Sequence, residues 1–470
     1  MKPNFQLTKL AFAALTLFGA GMMPTSGYGG NATGSVYTMS NAAGGNAVLM
    51  FPRATDGSLM TAQSFPTGGL GTGAGLGNGH GLVVSEDGLW LLVVNAGSND
   101  VSLFAVGRNG LRLTGKPTPS GGTQPISVTV DDGLVYVLNG GSENIAGFQI
   151  SGSGSSAQLT ALAGSVRPLG GTGNGPAEIS FSPDGRNLVV TEKTSNQLAV
   201  FPVAADGTPA QSPEVAPSSG TTPFGFDFAG RHELLVANAA GGAAGASSVS
   251  AYQIARNGNL TAIGSAVPTT VTAACWLAVA PNQIYAYTAD TPASTITGFL
   301  VGPRGSLTLL NGNGVTATPG SGSKPIDLAF SQDGQFIYSL NSGTNTISTF
   351  QVDGQGVLTP VTTGVTQTIP AGANGLAVQK VLNNIPPSVG GGHNANECLF
   401  NWAEESYPGL FGQVGQFTQV SSVFDYRYYP GTQSYVGVSS TDNHLYYQGP
   451  DGNRTDEGPW TSWLATANCL

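Results

Sequence analysis

The chain has 470 residues; 70 are Gly, only 9% are charged, and 16 Lys and Arg face 26 Asp and Glu for a net charge of −10. So few cations exclude a nucleic-acid interface and disfavour anionic membranes and phosphorylated substrates. A surface built from Ser, Thr, Asn, Gln and Gly is instead expected of an exported protein. Residues 1–27 read as a signal peptide: Lys2 and Lys9 precede the apolar run LAFAALTLFGAGMM (10–23), which is Gly-broken and shorter than the roughly 18 residues of a membrane span. The expected location is secreted or periplasmic, with no integral membrane span after cleavage.

From 30 to 380 one motif returns seven times. An apolar run ends in a polar residue (Asn41, Asn95, Asn139, Glu192, Asn238, Asp290, Asn341), and an aromatic follows (Phe51, Phe104, Phe148, Phe201, Tyr252, Phe299, Phe350). A period near 50 made of strands and turns predicts a β-propeller, and seven units close one ring. The inner strands are expected at 80–85, 125–130, 176–182, 223–228, 275–280 and 325–331. The first unit lacks one, and NGLAVQ (374–379) is expected to supply it, closing the ring by strand exchange. The insertion NAAGGAAGASSV (238–249) reads as a slack surface loop or as a rim over a central pocket. Residues 381–396 read as a linker. Residues 397–470 predict a small domain with a helical start at 397–411, aromatic strands at 423–430 and 433–439, and a further aromatic segment at 444–450. Cys398 and Cys469 close its ends and are expected to form a disulfide; Cys275, in an apolar strand, reads as buried and inert. The expected fold class is therefore all-β: a seven-bladed β-propeller with a small C-terminal α+β domain.

Residues 32–380 resemble the seven-bladed lactonase-like propeller family, which includes bacterial 6-phosphogluconolactonases and fungal carboxy-muconate lactonising enzymes. The segments ISFSPDGRNLVVTEKTSNQLAVFPV (179–203), SNDVSLFAV (98–106) and DLAFSQDGQFIYSLNSGTNTISTFQV (327–352) carry that resemblance. AACW (273–276), TPFGFDF (222–228) and the fifth-unit insertion resemble an exported bacterial subgroup. The terminal 74 residues resemble a module appended to exported proteins. The family resemblance implies lactone chemistry by His, Arg and carboxylate groups around the channel. This chain departs from the pattern: Ala177 and Glu178 stand where a histidine is expected, His80 alone keeps one, and no inner strand carries Arg. A phosphosugar site, which wants Arg or Lys clamps, is disfavoured.

His80, Glu178, Asp327 and Lys324 are the candidate catalytic residues, with Asn374 beside them. A lactone hydrolase needs a base to activate water and a donor for the oxyanion. His80 suits the base, Glu178 or Asp327 its orienting partner, and Lys324 or Asn374 the donor. The competing reading is that these polar groups bond neighbouring blades and trapped water. The polar anchors read as turn caps, and Asp184 and Asp333 as hairpin residues. No cofactor and no metal are expected, since no calcium-loop spacing occurs. Two functions remain: an exported hydrolase of a small neutral lactone, and a non-enzymatic scaffold for an extracellular or envelope partner. In the second, one face of the Tyr426, Arg427, Tyr428, Tyr429 strand contacts a sugar, polymer or protein.

Overall fold

A computed structural model describes residues 32–379, apart from 108–109, 153 and 364–366. Toward the C-terminus it describes 416–421, 424–429, 434–439, 444–448, 453–460 and 462–463. The signal peptide, the linker, the 397–411 segment, Cys398 and Cys469 lie outside the described residues.

Short runs rich in Val, Leu, Ile and aromatics, each stopped by Gly, Asp or Asn turns, favour antiparallel meanders. Seven such sheets form, spanning 82–119, 125–168, 176–217, 223–268, 274–309 and 325–368 (blades 2 to 7), with blade 1 at 32–66. Blade 1 is completed from the far end of the propeller. Strand Asn374–Val378 pairs antiparallel with Ala32–Met39, matching Val36 to Val378 and Tyr37 to Ala377. The Thr38 hydroxyl donates to the Gly375 carbonyl at 2.6 Å. The inner strands Leu82–Val84, Pro125–Asp131, Pro176–Phe181, Pro223–Phe228, Ala274–Val279, Pro325–Phe330 and Asn374–Val378 pack against one another in turn and close the ring.

Blades bury their faces only against each other. The recurring aromatics fill those interfaces: Phe51, Phe104, Phe201, Phe299 and Phe350 are essentially inaccessible. Buried tyrosines add polar ties between blades. Tyr136, Tyr287 and Tyr338 donate to the carbonyls of Gly207, Gly356 and Gly57, each in the following blade. The polar anchors end the second strand of six blades, and Asn41 lies two residues beyond that of blade 1. Asn95 donates to Asp100 and Ser102, Asn341 donates to Thr346 and Ser348, and Asp290 accepts from Thr288, Thr295 and Thr297. Asp184 and Asp333 accept from Ser182 and Ser331 across their turns.

The expected α+β character of the C-terminal part is overturned. Its described residues form a five-stranded antiparallel sheet in simple sequential order: Gln416–Ser421, Phe424–Tyr429, Ser434–Ser439, His444–Gln448 and Arg454–Pro459. No α-helical element occurs among the described residues. Helical backbone there is limited to Trp460, Ser462 and Trp463. The physical reason is strand pairing. Arg454–Pro459 has no apolar alternation of its own, yet it adds to the edge of His444–Gln448 by backbone bonds. Arg427 and Tyr429 share the buried face of their strand, whereas Tyr435 is exposed. Among the described residues no helix is long and apolar enough to cross a membrane.

Candidate functional site at the channel mouth

Each inner strand begins beside the mouth of the channel, and in three of the four that open with Pro the residue two places on has the same task. Its side chain accepts a backbone N–H from the next blade: Ser127 from Ile179 at 3.1 Å, Glu178 from Phe226 at 3.3 Å, and Asp327 from Leu376 at 2.9 Å. Two residues further on, Thr129 accepts from Phe181 and Asp227 from Val279. These clasps satisfy N–H groups that the short inner strands leave unpaired.

The two candidate carboxylates differ in what remains. Asp327 spends its second oxygen on the Leu328 N–H at 2.8 Å. Glu178 keeps Oε1 without a hydrogen-bond partner among the described residues, and that oxygen lies 3.2 Å from His80 Nδ1, not aligned as a hydrogen bond. Glu178 is thus both clasp and neighbour of the imidazole. Burial pushes its carboxyl well above the usual range, with the nearby Asp327 adding to the rise. Burial raises Asp327 to about 8 and Asp227 to about 6, against the pull of their backbone donors. Burial pushes the His80 imidazole below its ordinary value, opposed by the Ile179 backbone. Its Nδ1 is enclosed, yet 37% of the side chain is open to solvent.

His80 arrives on the segment GLGNGHG (75–81), which bonds across the mouth to several blades. Asn78 donates through Nδ2 to the Ile126 carbonyl of blade 3. The Gly79 N–H donates to Ala177 of blade 4 at 3.1 Å, and the His80 carbonyl accepts from Val128 at 2.9 Å. Lys193 donates to the Gly77 carbonyl at 2.5 Å, and the Trp276 indole donates to the Asn78 carbonyl at 2.6 Å. A Cβ at Gly79 would stand 2.0 Å from Glu178 Oε2, so only glycine lets the backbone pass the carboxylate. Asn374 lies alongside: a Cβ at Gly81 would fall 2.8 Å from its Oδ1. The Oδ1 atoms of Asn78 and Asn374 are buried without a partner among the described residues.

His80, Glu178 and Asn374 are therefore brought to one place, and Asp327 stands near enough to act on Glu178 electrostatically. Lys324 is not joined to them. Its side chain is exposed, and among the described residues no hydrogen bond or ion pair ties its ammonium to His80 or Glu178. Its backbone instead bonds Ser294 and Ser342. Three residues that sequence reasoning passed over also belong here: Asn78, Lys193 and Trp276. Lys193 carried a signal, for the residue after the polar anchor is small or a hydroxyl in every other unit: Ala42, Ala96, Gly140, Ala239, Thr291 and Ser342. Burial pushes the Cys275 thiol up to about 12, which leaves it unreactive. Among the described residues no group of three or more His, Cys, Asp or Glu could hold a metal ion.

The family model for lactonases with a seven-bladed β-propeller matches residues 42–269 and 239–377. No curated protein matches the sequence. Among solved structures, a candidate 6-phosphogluconolactonase from Bacteroides fragilis is 20% identical, covering 74% of this chain and 98% of that one with a TM-score of 0.54. A second candidate 6-phosphogluconolactonase, from Bacteroides uniformis, is 18% identical over 73% of this chain and 99% of that one, with a TM-score of 0.55. A protein from Lactobacillus plantarum is 16% identical over 73% of this chain and 99% of that one, with a TM-score of 0.58. At these identities the likeness is one of fold.

Proposed function

The chain belongs to the seven-bladed β-propeller lactonase family, and on that premise we propose that it is an exported hydrolase opening a small, unphosphorylated lactone at the channel mouth. The observation that carries the reading is the 3.2 Å approach of His80 Nδ1 to the free oxygen of Glu178. Glu178 is held through its other oxygen by the Phe226 N–H, so it orients the imidazole while remaining fixed itself. His80 Nε2 takes a proton from water as the water oxygen bonds the lactone carbonyl carbon. Asn374 supplies the amide donor for the oxyanion. The ring C–O bond then breaks, the proton passes from Nε2 to the departing oxygen, and a hydroxy acid leaves. Export is supported by the sequence of residues 1–27 and by the low surface charge.

The alternative is a scaffold without catalysis that holds an extracellular partner. One observation favours it: the 77–80 backbone and the buried rings of Phe224 and Trp276 occupy the mouth. Titration of acid released from a panel of unphosphorylated lactones decides between the two. Turnover by the mature protein that disappears in His80→Ala and Glu178→Gln supports the hydrolase; no turnover from a folded wild-type protein supports the scaffold.

A further inference from the structure

A stretch with glycine at 75, 77, 79 and 81 is entropically costly to hold in one conformation. Two of its ties come from distant blades and grip consecutive carbonyls. Lys193, on blade 4, holds Gly77; Trp276, on blade 6, holds Asn78. Phe224, on blade 5, lies between them. Its ring centroid is 4.7 Å from Lys193 Nζ and 4.9 Å from the Trp276 ring, at an interplanar angle of 56°.

We propose that Lys193, Phe224 and Trp276 form a clamp spanning three blades whose task is to position His80 against Glu178. The inference rests on the reading of His80 as the base. The ring itself does not require these residues. Six other units close with a small or hydroxyl-bearing residue where Lys193 stands. Trp276 occupies the slot used by Ser127, Glu178 and Asp327, but an indole only donates and so cannot accept the next blade's N–H. Its one polar atom is aimed at Asn78 instead. Lys193 is partly buried and, among the described residues, no ion pair accompanies it. A desolvated ammonium facing a neutral carbonyl and an aromatic ring is a costly way to stabilise a propeller and an apt way to fix one loop. Lys193 and Trp276 are positioning residues and take no part in the reaction itself.

The test is Lys193→Met, which keeps the side chain's length without its charge, and Trp276→Phe, which keeps an aromatic ring without the indole N–H, alone and together; either single variant serves if the other fails to fold. Three readouts are taken: amide exchange along the chain, the His80 imidazole resonance assigned with His80→Gln, and kcat and KM on a lactone the wild type hydrolyses. The clamp predicts exchange at 77–81 faster by about tenfold or more, protection kept in the blades, and a displaced His80 resonance. It also predicts kcat lower by about tenfold to a hundredfold with KM within about twofold, and a double variant little worse than either single one. Unchanged exchange at 77–81 with an unmoved His80 resonance would overturn it, and so would protection lost evenly across all blades. If the wild type hydrolyses nothing, the catalytic reading fails by itself. The exchange and imidazole data still decide whether the clamp holds His80.

Discussion

Glu178 and Asp327 occupy equivalent places in their blades, yet their substitutions should separate. On the proposed reading Asp327→Asn should retain hydrolysis, its amide oxygen still accepting one of the two backbone N–H groups that the carboxylate holds. In Glu178→Gln the clasp also survives, but the imidazole loses its carboxylate partner, and kcat should fall by about a hundredfold or more. Base catalysis requires Glu178 ionised and His80 neutral. Because burial lifts Glu178, the rising limb of kcat/KM against pH should lie above the usual carboxylate range. Asp327→Asn removes a charge that contributes to the lift and should move that limb to lower pH. Gly79→Ala pushes a methyl group onto Glu178 Oε2; hydrolysis should be lost while far-UV circular dichroism keeps its β signature. Glu178 could be placed on an inner strand from the repeat, whereas His80, expected on one, stands on the 75–81 segment ahead of Leu82–Val84. Lys193 and Trp276 were not read as site residues. Their partners are carbonyls 116 and 198 residues away, and a carbonyl leaves no mark in a sequence.

At the scale of the blade, close approach between inner strands sets the tolerance to change. A Cβ at Gly225 would lie 2.8 Å from Trp276 Cα and 2.9 Å from the Cys275 carbonyl. Both obstacles are backbone and cannot rotate aside. Gly225→Ala should therefore cost about 1–3 kcal/mol in a urea denaturation series, as overpacking does, with little change in the slope. The strand positions themselves were readable from apolar runs and turn residues, and so was the donation of 374–379 to blade 1. The five-stranded C-terminal sheet was not. Its last strand, RTDEGP (454–459), is polar throughout, and only the backbone edge offered by its neighbour makes it a strand.

Across the whole molecule, among the described residues, burial makes several carboxyl groups bind protons more tightly folded than unfolded: Asp227 at about 6, Asp290 at about 7 and Asp327 at about 8, with Glu178, Glu192 and Asp131 raised as well. A raised carboxyl contributes stability that is complete below its unfolded value, near 4, and is lost as pH climbs through its folded value. The melting temperature should therefore fall from about pH 4 to about pH 8, and Asp327→Asn should flatten the upper part of that decline. A melting temperature that rises over this interval would contradict the burial described for these groups. The exchanged strand also has a consequence in time. Thr38 and Gly375 must meet across 337 positions of sequence, so a chain emerging from a ribosome or a translocation pore carries six blades and most of a seventh before any closed circle can exist. Contacts so remote in sequence slow folding and expose unsatisfied strand edges meanwhile. The circle can close only once residues 374–378 have been made, and until then the Ala32–Met39 strand keeps an open inner edge.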